Sequence, residues 1–150
     1  MSDTADVAGM AMSDYDIQEI EHTADWAIRV RARDLIGLFA GAAEGMFGLL
    51  TDLSQVTPVR QFEVDLRAID VETLLIDWLN ELLYLSEEQG MVFTGFTIHD
   101  FTVNGGARLR AQVDGGHPSE LFKVIKAATF HGLSIRRDAD GLQAELVFDV

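Results

Sequence analysis

Cysteine is absent from this 150-residue chain. That excludes a disulfide framework and a thiolate zinc centre, and it fits a reducing compartment. Lysine is almost missing too: Lys123 and Lys126 are the only two among 11 basic residues. Few lysines with more aspartate than glutamate are compatible with a salt-rich cytoplasm, although a GC-rich genome also favours arginine. Positive charge is scarce altogether, with 25 acidic residues and a formal net charge of -14. Such a surface repels polyphosphate at long range, so sequence-independent RNA or DNA binding is not expected without a local basic patch, nor is direct sequence-specific nucleic-acid binding. A basic protein partner or a bound cation fits better.

Long apolar runs are missing as well. The most apolar stretch, Leu35 to Leu50, is short for a bilayer and carries Glu44. The first residues are acidic and lack the basic start of a secretory signal. The expectation is a cytoplasmic protein with no membrane association. Catalytic signatures are equally thin. There is no Gly-x-x-x-x-Gly-Lys-Ser/Thr phosphate loop, no Gly-x-Gly-x-x-Gly after a strand and no Gly-x-Ser-x-Gly nucleophile elbow. No particular serine is marked for a triad. With 25 carboxylates, spacing alone selects no acid–base pair.

What is present reads as about one domain. Residues 1–14 are small and acidic and are expected to form a disordered leader, with a single folded domain over 15–150. Tyr15 to Ile20 alternates weakly and Trp26 to Arg31 strongly, predicting two strands. Asp34 stands at an N-cap position before a helical stripe from Leu35 to Leu50. Gly37, Gly41 and Gly45 recur along that helix, which predicts close approach of a strand or helix. Thr51 to Pro58 is a polar connection, and Phe62 to Arg67 alternates as a strand with one wet face. Asp70 opens a second helix, Val71 to about Glu88, closed by Gly90. Its stripe of Trp78 and leucines faces the core. Val92–Val103 and Arg108–Val113 form a hairpin across Asn104-Gly105-Gly106, and Asp114 to Pro118 is a loop. Phe122 to Ile135 suits a helix or an extended segment; strand is predicted from about Val124. A last hairpin joins Leu133–Arg137 to Leu142–Val150, with Asp138 and Asp140 in its turn rather than in a calcium loop. The predicted class is α+β, with two helices packed on a mostly antiparallel sheet.

Two places concentrate polar chemistry. Glu21-His22-Thr23-Ala24-Asp25 lies just before a strand of fixed register, where Thr23 and Asp25 either cap turn N–H groups or form part of a site. Asp149 ends a buried-looking strand, beside Phe148 and the terminal carboxylate of Val150. A carboxylate there costs desolvation unless it is paired or holds a cation. Oxygen ligands suit Ca²⁺, Mg²⁺ or Mn²⁺.

The chain resembles the archease family in five ordered segments: Glu21-His22-Thr23-Ala24-Asp25, Thr51-Asp52-Leu53, Leu75 to Tyr84, Val124 to Leu133 and Val147-Phe148-Asp149-Val150. The resemblance implies an archease-like fold of strand–helix–strand–strand modules and a non-catalytic activator of the RtcB-type RNA ligase of tRNA splicing. Such activators promote guanylylation of the ligase and its repeated turnover. It also implies a calcium site at Asp25, Asp149 and the main-chain oxygen of Val150, with His22 and Thr23 in support and Lys126 implicated in activity. Phe130 departs from the family pattern, where tyrosine is more usual. Two readings compete with this one: a stand-alone metal-dependent hydrolase, and an acidic chaperone or interaction module with a structural cation.

Overall fold

The computed structural model describes residues 14–20 and 26–150. All but the last residue of the acidic leader, and the whole Glu21–Asp25 motif, therefore lie outside the described residues. The elements are β1 (Tyr15–Ile20), β2 (Trp26–Ala32), α1 (Leu35–Leu50), a 3-10 turn (Leu53–Gln55) and β3 (Arg60–Ala68). Then follow α2 (Val71–Gln89), β4 (Val92–Val103), β5 (Ala107–Gly116), β6 (Ala127–Thr129), β7 (Arg136–Asp138) and β8 (Gly141–Asp149). The α+β class holds, and all the strand pairs are antiparallel.

The strands form two sheets rather than one. The first runs β1-β2-β8-β6, with β7 also paired to β8, and the second runs β3-β5-β4. The helices lie between them. One side of α1 packs on β1, β2 and β8 and the other on β4, while α2 contacts β3, β4 and β5 as well as β6. A helix covered on two sides must be apolar over most of its surface. Accordingly, α1 buries eleven of its residues, including Leu38, Phe39, Met46 and Phe47.

Local signals set the helix ends. The Asp34 carboxylate accepts the Gly37 N–H at 2.8 Å, and the Asp70 carboxylate accepts that of Thr73 at 2.8 Å. Each satisfies an N–H with no partner inside its helix. Gly90 stops α2 in the left-handed region, at φ 65°. Close approach is what the α1 glycines provide. A Cβ at Gly41 would lie 2.8 Å from the Tyr15 ring and 2.9 Å from Val30, and one at Gly45 would lie 2.7 Å from Ile28. Gly48 faces open space.

Tyr15 also fastens β1 to α1, donating its phenolic O–H to the Glu44 carboxylate. Burial first, then that hydrogen bond and the Glu44 charge, hold its ionisation well above the ordinary range. The folded state thus favours the protonated phenol. This contribution is complete below the unfolded tyrosine range, near pH 10, and fades as pH climbs beyond it. Tyr15→Phe should flatten the fall of stability on the alkaline side, as read from urea midpoints between pH 8 and 11. An unchanged slope would refute the assignment.

Three expectations need correction. Asp114, Gly115 and Gly116 complete β5 instead of forming a loop. Side-chain-free positions are needed there, because a Cβ on Gly116 would lie 2.2 Å from the Thr57 carbonyl oxygen. The strand expected from Val124 is reduced to Ala127–Thr129, and that expected over Leu133–Arg137 to Arg136–Asp138.

Candidate functional site

The first sheet brings distant parts of the chain together at one end. The β2–β8 ladder pairs Trp26 with Phe148, and the β6–β8 ladder pairs Ala127 with Asp149. The Lys126 N–H extends the second ladder, donating to the Asp149 carbonyl at 2.8 Å. Lys126 and Asp149, both singled out from the sequence, are thus fixed side by side. Asp149 is exposed, and its carboxylate has no hydrogen bond or ion pair among the described residues. Val150 follows at 38 % exposure. Asp25, His22 and Thr23 lie outside the described residues, but Asp25 is bonded directly to Trp26, the partner of Phe148. Among the described residues, no three acidic, histidine or cysteine side chains converge as a metal cluster.

Residues 118–129 supply one wall of the site and are irregular except for β6. A chain segment without long ladders must satisfy its backbone groups elsewhere. Here side chains do much of this. Thr51 donates its hydroxyl to the Glu120 carbonyl at 2.6 Å, and the Phe122 N–H reaches the Leu50 carbonyl at 2.7 Å. Asn80 of α2 acts as a one-residue strand. It accepts the Ala128 N–H at 2.8 Å and donates to the Ala128 carbonyl at 3.1 Å. Thr129 ties its hydroxyl to the Val147 carbonyl at 2.9 Å. Lys123 places its ammonium 2.8 Å from the centre of the Trp26 ring, a cation–π contact between this segment and the start of β2.

Sequence reasoning missed Asn80, Thr51, Trp26 and Lys123 as organisers of this end. Asn80 lay within the family-like segment Leu75 to Tyr84 with no role assigned to it. The signal for Lys123 was its rarity, as one of two lysines in the chain. His99 is exposed on β4 of the second sheet.

The Archease protein family (MTH1598/TM1083) matches residues 17–150. An archease of Methanopyrus kandleri is 34% identical over 139 residues, covering 89% of this chain and 98% of that protein. The solution structure of Methanobacterium thermoautotrophicum protein 1598 superimposes with a TM-score of 0.78 at 27% identity, covering 93% of this chain and 100% of the other. A crystal structure from Thermotoga maritima, described as an archease and possible chaperone, shares the fold with a TM-score of 0.57 at 24% identity, covering 87% of this chain and 94% of that one. No described helix is long and apolar enough to cross a membrane. In sequence and in fold, the chain belongs to the archease family.

Proposed function

We propose that the chain is an accessory protein that activates an RtcB-type RNA ligase, promoting its guanylylation and repeated turnover without chemistry of its own. The observation that carries this reading is the pair of ladders at the end of the first sheet. Trp26 pairs with Phe148, and Lys126 is hydrogen-bonded to Asp149, so the family-like residues of both chain ends are gathered beside one exposed carboxylate. Family membership supports a protein partner, and the acidic surface favours fast encounter with a basic one.

The donor set suits a hard cation. Asp25, Asp149 and the main-chain oxygen of Val150 offer only oxygen, as calcium prefers, and the Asp149 carboxylate is otherwise uncommitted among the described residues. A bound divalent cation would supply positive charge and Lewis acidity at the partner's active site. The chain's own residues hold the site in shape. Asn80 and Thr129 fix β6, and the Lys126 N–H fixes the backbone of Asp149. Lys126, exposed and tied to Asp149 through its backbone, is available to meet an anionic group of the ligase or its nucleotide.

A ligation assay with limiting ligase tests the proposal. The wild-type chain should raise the number of turnovers, and Asp25→Ala or Asp149→Ala should reduce that gain on the order of tenfold or more, as loss of a metal-centre residue does. Chelation of divalent cations should mimic both variants. Unchanged turnover on adding the wild type would refute the ligase reading, and full activation by both variants would refute the site. Chelation that lowers the melting temperature without changing ligation would instead favour the chaperone reading with a structural cation.

A further inference from the structure

A groove of about 730 Å³ opens between the C-terminal half of α2 and residues 118–127. Leu83, Met91 and Ile125 are among its walls, and both lysines of the chain border it. Its size is that of a cleft able to take a drug-sized ligand or several apolar side chains. Along its lip, large apolar side chains stand in solvent: Leu121 is 55% exposed and Val124 69%. Exposed apolar surface gathered in one patch marks an interaction site more often than chance.

This patch is not a loose loop. Thr51 and Leu50 hold it at Glu120 and Phe122, Trp26 receives Lys123, Asp149 accepts the Lys126 N–H, and Asn80 clamps Ala128. The segment is therefore pinned with its apolar side chains outward, a pre-organised surface that needs little ordering on association. Charge narrows the occupant. In a chain of net charge -14, both lysines fall here against one acidic wall residue, Glu87; Lys123 is engaged by Trp26, and Lys126 has no ion pair among the described residues. The complementary surface is apolar and carries a carboxylate.

We infer that this groove and its lip are the docking surface for the protein partner, which inserts an apolar segment between α2 and residues 118–127 and sets a carboxylate against Lys126. The inference rests on the ligase reading and names the face through which the site would be delivered. Lys126 and Ala127, which border the groove, are joined to Asp149 through the backbone, so a segment seated there reaches the strand that carries Asp149.

Calorimetric titration of purified ligase with the full chain decides it. The variants are Val124→Asp and Leu121→Asp on the exposed lip, and Asp149→Ala as a control for the site; thermal melts confirm folding. Each lip variant should weaken binding on the order of tenfold or more, the scale of losing a central apolar anchor. Asp149→Ala should lose activation while keeping most of the binding. Lip variants that bind like wild type overturn the docking surface and leave the ligase reading intact if the wild type activates. A wild-type chain that neither binds nor activates the ligase overturns both. A wild-type dimer that Val124→Asp turns into a monomer with undiminished ligase binding assigns the groove to a second copy, and overturns the inference.

Discussion

Replacing Trp78 by alanine is expected to cost about 3–5 kcal/mol of folding free energy. Its indole is fully buried in the helix layer between the two sheets. The ring N–H donates to the Phe39 carbonyl of α1 at 2.9 Å, so the side chain joins the two helices directly. Its ring also meets Phe96 edge-on at 6.4 Å, and Phe96 stacks on Phe47 at 6.2 Å. Truncation would remove this packing from both helices and from β4, and the surrounding sheets limit how far the cavity can collapse. Trp78→Phe keeps most of the buried area and loses the hydrogen bond, so its penalty should be much smaller. Urea unfolding of both variants is the measurement, with the slope expected to stay constant. A loss below about 1 kcal/mol for alanine would contradict the central placement of this ring.

The second large effect is expected at Asn80→Leu. Leucine keeps the approximate size but offers the Ala128 N–H and carbonyl nothing to bond. Ala128 is only 5% exposed, so water reaches these groups poorly. Each unmet group costs about 1–3 kcal/mol. The two together rival the loss at Trp78 unless β6 detaches locally to rehydrate them. Either way, the Lys126–Asp149 arrangement loses its neighbour on one side. Amide exchange at Lys126, Ala128 and Thr129 should accelerate strongly, while exchange in β3, β4 and β5 should change little. Activation of the ligase should fall with it. Unchanged protection at Ala128 would show that Asn80 is not the clamp.

The helices were legible in the sequence because two independent signals agreed at each. For α2, the stripe of Trp78 and leucines was bracketed by the Asp70 cap and Gly90, and all three behave as read. The Asn104-Gly105-Gly106 turn was equally plain, and Gly105 takes φ 69° there. Division of the strands into two sheets was not legible. Alternation says which face of a strand is buried, but not which strand lies beside it. Residues 122–135 misled for a different reason. Their β-branched and apolar residues resemble a strand, yet only Ala127–Thr129 pairs with β8, and on its other side Asn80 of α2 rather than a further strand takes the Ala128 N–H and carbonyl. At the site, Asp149 stood out as a carboxylate ending an apolar strand and Lys126 came from a family-like motif, and their contact through one backbone hydrogen bond depends on a pairing that no local pattern announces.

The glycines of α1 also bear on the order in which the molecule is assembled. Four of them, at positions 37, 41, 45 and 48, each weaken an isolated helix by about 1 kcal/mol relative to alanine. Alone, the segment should be mostly coil. Its helical state depends on β1 and β2, which fill the glycine stripe. An isolated two-stranded ribbon is itself marginal until β8, from the far end of the chain, pairs with β2. Helix, sheet and site are thus coupled steps of one late, non-local event, which should make folding slow for a domain with two such long helices.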